Sequence, residues 1–181
     1  MAEASFGGAT FSGLATFNGA AFTGDARFNE VVFIGGATFN GAVFTGDTQF
    51  DEAVFTGNAQ FNGAAFTGQA WFEVARFGGN VEFMRAAFTG DAQFSFASFT
   101  GYAAFDGAAF TRNAEFDQAR FGYLATFKGT TFHPGESSTS FRESRILWPD
   151  LEHVLPTGWH IGQVGDGEHT IVRVNSNDRS Q

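Results

Sequence analysis

The sequence predicts an all-β solenoid, in which short strands and turns repeat along the chain. The first observation is the spacing of phenylalanine: 24 of the 26 Phe residues follow one another at alternating steps of five and six, from Phe6 to Phe132. The second is a small residue, usually Ala, two positions before each of these Phe residues. The third is Gly, which is common two positions after them. A fixed period of this kind indicates a stack of near-identical units.

Each unit is expected to be a short strand that ends in a tight turn. Residues two apart point to the same side of a strand, so the small residue and the Phe face inward together. Gly permits the left-handed backbone that a tight corner requires. Eleven-residue periods also occur in right-handed coiled coils. The regularly placed Gly residues exclude that alternative, because each would cost about 1 kcal/mol in a helix interior.

The outward residues distinguish a four-sided coil of about 22 residues from a two-sided coil of about 11. Thr follows the ring at every twenty-second residue of one series, at Thr23, Thr45, Thr67, Thr89 and Thr111. The corresponding positions eleven residues away are irregular, namely Ser12, Ile34, Thr56, Gly78, Thr100 and Gly122. We therefore expect the four-sided form, with about six coils stacked about 4.8 Å apart into a rod of about 29 Å around four ladders of Phe. The side that carries the regular Thr residues is called the threonine wall.

The tandem pattern Ala-x-Phe-x-x resembles that of the pentapeptide-repeat proteins, whose units centre on Leu or Phe with a small residue two positions before. The resemblance covers residues 4 to about 133 and 24 units. It implies a right-handed quadrilateral parallel β-helix with four units per coil. This chain departs from the family pattern because every second unit has one extra residue, such as Asp25, Asp47 or Asn58. Two opposite corners of each coil are therefore expected to be looser.

One side of the expected rod collects most of the acidic residues and is called the acidic wall. It is built on Phe28, Phe50, Phe72, Phe94 and Phe116. Its candidate partner-binding residues, including those of the corner that leads into it, are Asp25, Glu30, Asp47, Asp51, Glu52, Glu73, Asp91, Glu115 and Asp117. Only Arg27 and Arg112 oppose them there. A solvated face that maintains solubility is the alternative interpretation. The threonine wall is flat and uncharged, and ordinary strand filling explains it better than a docking face.

Composition and charge exclude several classes of protein. The net charge is −9, whereas direct contact with nucleic acid requires clustered Lys and Arg. With no Cys, neither a disulfide nor a thiolate metal site can form. No apolar run is long enough to span a membrane, and the N-terminus does not read as a signal peptide. The four His residues, at 133, 153, 160 and 169, are not spaced as a metal site, and no catalytic motif or cofactor is indicated. We expect a cytoplasmic protein that is not an enzyme.

The period stops after Phe132, so we divide the chain into a repeat region (1–133), a C-terminal capping segment (134–174) and a disordered tail (175–181). In the capping segment, Pro149 opens a short helix that runs to Leu155. Gly165-Asp166-Gly167 joins the strands of a hairpin in which Val164 pairs with Glu168. Solenoids need covered ends, and we expect Trp148 and Trp159 to cover the last rung. The first rung has no visible cap, which predicts a homo-oligomer through coil ends or the C-terminal segment, or else an upstream segment.

Three functions are compatible with these features. The first is a non-catalytic scaffold that presents its faces to a protein partner. The second comes from the resemblance, since some pentapeptide-repeat proteins mimic duplex DNA and modulate type II topoisomerases such as gyrase, and the acidic wall agrees in sign. The third is a self-assembling structural module.

Overall fold

The computed structural model describes residues 3–135, 138–165 and 167–174, and in these ranges the chain forms a four-walled β-solenoid. Each coil contributes one two-residue strand to each of four parallel sheets. Paired strands are 22 residues apart, as in the pairs Ala26 with Thr48 and Phe33 with Phe55. The predicted four-sided coil of 22 residues is confirmed.

Two of the walls differ in the charge of their outward residues. The strands of the acidic wall are Ala4–Ser5, Ala26–Arg27, Thr48–Gln49, Ala70–Trp71, Ala92–Gln93, Ala114–Glu115 and Thr139–Ser140. The next wall along the chain is called the arginine wall, after the residues at 76, 120 and 145. Its strands are Thr10–Phe11, Val32–Phe33, Val54–Phe55, Arg76–Phe77, Ser98–Phe99, Arg120–Phe121 and Arg145–Ile146, followed by the hairpin strands Glu168–Arg173 and Trp159–Val164.

The other two walls are nearly neutral and have six strands each. The third wall, called the asparagine wall after Asn18, Asn40 and Asn62, contains Ala15–Thr16, Ala37–Thr38, Ala59–Gln60, Val81–Glu82, Ala103–Ala104 and Ala125–Thr126. The threonine wall contains Ala21–Phe22, Val43–Phe44, Ala65–Phe66, Ala87–Phe88, Ala109–Phe110 and Thr131–Phe132. All four walls surround one core.

The core consists of four ladders of stacked Phe rings. Phe28 and Phe50 lie on the same wall with nearly parallel rings, and their centroids are 4.7 Å apart. Rings of the acidic and asparagine walls meet edge to face across the core. Phe28 and Phe39 do so, with their ring centroids 5.4 Å apart. In the repeat series, every ring from Phe28 to Phe127 is at most 2% exposed. Stacked and edge-to-face contacts are the favoured arrangements of aromatic pairs, so the Phe rings fill the centre of the core, and small residues, mostly Ala, are buried beside them.

The corners that follow the acidic and asparagine walls are tight turns. In each, the carbonyl of the ring residue accepts a hydrogen bond from the N–H three residues later, as Phe39 does from Ala42 at 3.0 Å. The third residue of the turn has a left-handed backbone, for example Gly41 with φ 64° and Glu52 with φ 56°. The asparagine wall uses Gly at most of these positions, as predicted, whereas the acidic wall mostly uses larger residues.

The glycines that follow the threonine wall serve a different purpose from the predicted one. Gly46, Gly68 and Gly90 do not have a positive φ. Instead, a Cβ on Gly68 would lie 2.5 Å from the carbonyl oxygen of Gly46, and a Cβ on Gly90 would lie closer still to that of Gly68. Gly is required here because the backbones of successive coils are too close to accommodate a side chain.

The solenoid continues beyond residue 133, where the sequence predicted its end. Thr139–Ser140 pairs with Ala114–Glu115, and the ring of Phe141 stacks on Phe116 at 4.8 Å. Arg145–Ile146 then pairs with Arg120–Phe121, so Ile146 occupies a ring position. These pairs are 25 residues apart instead of 22, because three extra residues precede Thr139. The insertion interrupts the period and conceals this last half coil.

The segment after Ile146 differs from the prediction in one element and agrees in another. No helix forms from Pro149 to Leu155, and no helix in the described part of the chain is long and apolar enough to cross a membrane. A segment as short as this one is too short to nucleate a stable helix on its own. The residue before Pro156 is also biased away from helical backbone. The hairpin register is confirmed, with Val164 opposite Glu168.

The two tryptophans of this segment have different environments. Trp159 packs edge-on against the last ring, Phe141, at 5.0 Å. Trp148 is 62% exposed, so the expectation that it covers the last rung is wrong. The tail predicted to be disordered, 175–181, lies outside the described residues.

Candidate functional site

The acidic wall brings together all nine candidate partner-binding residues. Glu115 projects outward from a strand, and Asp51, Glu73 and Asp117 follow the ring in the next turn. Glu30 and Glu52 occupy the left-handed position of the same turn. The remaining three, Asp25, Asp47 and Asp91, occupy the corner that leads into the wall. Their common location follows from the 22-residue coil; whether they bind a partner stays a prediction.

The aspartates of this set also stabilise the solenoid. Each accepts a hydrogen bond from a backbone N–H of the next coil. From the Asp Oδ1 to the backbone nitrogen that donates, the distances are 3.1 Å for Asp25 and Asp47, 2.9 Å for Asp47 and Gln69, 3.3 Å for Asp51 and Glu73, 3.2 Å for Asp91 and Asn113, and 2.9 Å for Asp117 and Arg142. Asn18, Asn40 and Asn62 make the same bond on the asparagine wall. Five of the nine acids therefore have a structural explanation that the sequence analysis missed.

The glutamates of the set have no such role. Within the described residues, the carboxylates of Glu30, Glu52, Glu73 and Glu115 neither accept a hydrogen bond nor form an ion pair. The basic residue nearest to them in the strand ladder, Arg27, is paired with Glu3 at 2.8 Å. These four carboxylates are therefore the acidic groups of the set that have no structural role within the described residues.

Two carboxyl groups on the wall ionise less readily than usual. Burial raises the pKa of Asp51 from its usual 3.8 to about 6; the carboxylate of Glu73 adds to this rise, and the N–H of Glu73 opposes it. Burial also raises the pKa of Glu115, with a further contribution from Asp117. Crowded carboxylates repel one another, and a nearby cation would favour their ionised form.

Trp71 lies within this wall, and the sequence analysis did not single it out. Its strand pairs with Thr48–Gln49 on one side and Ala92–Gln93 on the other, so its ring projects outward between two Gln side chains. Glu73 follows it two residues later on the same side. The sequence did contain a signal for Trp71. It lies one residue before Phe72, and the equivalent residue in every other coil of this wall is polar or charged.

The remaining surfaces carry less chemistry. On the threonine wall, the hydroxyls of Thr89 and Thr111 donate to carbonyl oxygens of the preceding coil at 3.3–3.4 Å, which is a structural use of this residue type. No three His, Asp or Glu side chains in the described ranges are grouped so that they could hold a metal ion.

These features define a repeat protein of the β-solenoid class, with an acidic face and a core of stacked Phe rings flanked by small residues. A family model described as pentapeptide repeats (9 copies) matches residues 6–54 and again residues 50–98, together about half of the chain. The chain belongs to the pentapeptide repeat family. No curated protein and no solved structure matches it.

Proposed function

We propose that the protein is a non-catalytic interaction scaffold that presents its acidic wall to a basic segment of a partner protein. The observation that carries this proposal is the position of Trp71 on the acidic wall, between Gln49 and Gln93 and two residues before Glu73, whose carboxylate has no hydrogen-bond or ion-pair partner within the described residues. Trp is enriched among the residues that dominate binding energy. Its ring face attracts Arg and Lys, and adjacent carboxylates strengthen that attraction. The pentapeptide repeats supply the rigid rod that holds these groups in place.

The glutamates and the aspartates have different roles in this proposal. The five aspartates accept backbone hydrogen bonds and maintain the spacing of the coils. The four glutamates and Trp71 form the contact surface. Substitutions of the glutamates should therefore weaken binding without destabilising the rod.

The experiment measures binding of a fluorescein-labelled peptide of alternating Arg, Lys and Gly by fluorescence polarisation. Glu73→Gln and Trp71→Ala should each weaken binding several-fold. Glu82→Gln is the matched control, because it removes the same charge from the asparagine wall and retains an acceptor for Asn62. If Glu73→Gln and Glu82→Gln lose the same amount of affinity for the peptide, binding depends on net charge alone, and the proposal is overturned.

A second candidate function is modulation of a type II topoisomerase by mimicry of DNA. The concentration of acids on one wall favours it, as does membership of the family. Over a rod of about 29 Å, duplex DNA would carry about 17 phosphate charges. The wall offers nine carboxylates, of which five are hydrogen-bonded within the rod, so this candidate ranks second. A gyrase supercoiling assay tests it, and the absence of inhibition or protection at micromolar protein would exclude it.

A further inference from the structure

A groove runs along the corner between the acidic and arginine walls, where its lip continues the ladder of left-handed turn residues that holds Glu30 and Glu52 in earlier coils. Its volume is about 610 Å³. Arg76, Ser98 and Arg120, on three successive coils of the arginine wall, form its floor. Val74 and Phe96 form the lip on the corner side, and the C-terminal hairpin closes one end.

The lip is built from apolar residues in an unfavourable backbone conformation. Val74 has φ 57° and Phe96 has φ 60°, in the left-handed region that β-branched and bulky residues rarely adopt. The first coil has Gly8 at the equivalent position. Phe96 is 55% exposed and Val74 is 39% exposed, so neither gains the burial that would offset this cost. This turn has a left-handed backbone in every coil, so the strain lies in the use of Val and Phe there, and a residue that is strained without a packing benefit is characteristic of functional positions.

The floor is positively charged in a protein whose net charge is −9. Among the described residues, neither Arg76 nor Arg120 forms an ion pair, and both are exposed. At the end closed by the hairpin, Arg145 is paired with Glu168, and Glu143 forms no ion pair within the described residues, so the unpaired positive charge of the groove is that of Arg76 and Arg120. An occupant of complementary chemistry carries carboxylates opposite Arg76 and Arg120.

The spacing of the two arginines selects a conformation for that occupant. They are two coils apart, which corresponds to about 9.6 Å along the rod. A polyproline II helix repeats every three residues with a rise of about 3.1 Å per residue, so side chains three apart project from one side about 9.3 Å from each other. Phe96 belongs to the intermediate coil and would contact an apolar residue between the two acids. Exposed aromatic rings are the usual docking surface for Pro in this conformation.

We propose that the groove binds an acidic, proline-containing peptide segment of a partner protein, in which two carboxylate residues three positions apart contact Arg76 and Arg120 and a Pro between them packs on Phe96. This second surface has the opposite charge preference to the acidic wall. The scaffold therefore connects a basic segment to an acidic one.

The test uses a fluorescein-labelled peptide containing Glu-Pro-Leu-Glu and a control peptide with Lys in place of both Glu residues. The double variant Arg76→Gln, Arg120→Gln should weaken binding of the acidic peptide about tenfold or more, because two charge-assisted contacts are lost. Phe96→Gly should weaken it about fivefold through loss of apolar contact. Phe96→Gly also relieves the left-handed strain, so the variant should unfold at the same or a higher temperature than the wild type.

Arg112→Gln is the matched control, because Arg112 lies on the corner after the threonine wall and is exposed. It should leave binding unchanged. The inference is overturned if the acidic peptide shows no saturable binding or if the Lys peptide binds equally well. A loss of affinity in Arg112→Gln equal to that in the single variants Arg76→Gln and Arg120→Gln would also overturn it.

Discussion

Replacing Asp51 by Asn tests the electrostatics of the acidic wall. Asn retains an oxygen that can accept the hydrogen bond from the backbone N–H of Glu73. In addition, Asn29 already occupies the equivalent position one coil earlier. The substitution therefore removes a charge and keeps the local structure. We expect it to stabilise the protein at neutral pH.

The magnitude follows from the raised pKa of Asp51. The difference between its usual value of 3.8 and about 6 corresponds to at most about 3 kcal/mol, since each pKa unit is worth about 1.4 kcal/mol. The side chain is only half-buried, and water screens part of this cost, so we expect about 1–2 kcal/mol. The folded state holds the proton more tightly than the unfolded state. The contribution of Asp51 to stability is therefore most favourable below pH 3.8 and is lost as the pH rises through about 6.

The assay is urea unfolding of wild type and Asp51→Asn at a series of pH values from 4 to 8. The difference in unfolding free energy between the two proteins isolates this group from the other acids. It should be small at the acidic end and grow to its full value near neutral pH. A difference that does not change with pH, or one in which Asn is less stable at neutral pH, would refute the reasoning.

Three further predictions concern the core and the corners, each measured as a change in unfolding free energy. Thr48→Val should stabilise by about 1 kcal/mol, because the buried hydroxyl of Thr48 has no hydrogen-bond partner in the described part of the chain; destabilisation would contradict this. Gly68→Ala should cost about 3 kcal/mol through collision with the preceding coil, whereas Gly63→Asn should be nearly neutral because the space there is open and Asn tolerates the left-handed backbone of this position. Phe61→Ala should cost about 3–5 kcal/mol, whereas exposed Phe96→Ala should cost less than about 1 kcal/mol; similar losses would mean that Phe61 is not inside.

The architecture was predictable because the core is repeated. Each Phe has the same neighbours in every coil, so the spacing of the Phe residues determines the strands, the walls and the 22-residue register. The hairpin was predictable for a local reason, since Gly165 and Gly167 flank its turn.

Features outside the period were harder to predict. Three inserted residues hid the half coil of Phe141 and Ile146, although the five-residue step between them was present. The helix expected from Pro149 was inferred from local pattern alone. The role of Gly68 depends on the distance to the preceding coil, which a single unit of sequence does not contain.

The candidate surfaces were only partly predictable, because outward residues are not constrained by the core. The sequence located the acidic wall correctly but could not separate aspartates that bind the next coil from glutamates that do not. Phe96 was visible as one of the two Phe residues outside the series. Its exposure and left-handed backbone, which make the groove recognisable, appear only in the structure.

Disulfide formation between paired coils tests the four-walled, 22-residue coil most directly, since the chain has no Cys of its own. Ala65 and Ala87 are paired on the threonine wall, at a Cα separation of about 4.8 Å that suits a disulfide. Arg76, eleven residues from Ala65, lies on the arginine wall. Under mild oxidation, Ala65→Cys with Ala87→Cys should form an intramolecular disulfide, and Ala65→Cys with Arg76→Cys should not. The reverse result would contradict the stacking of Phe rings every 22 residues.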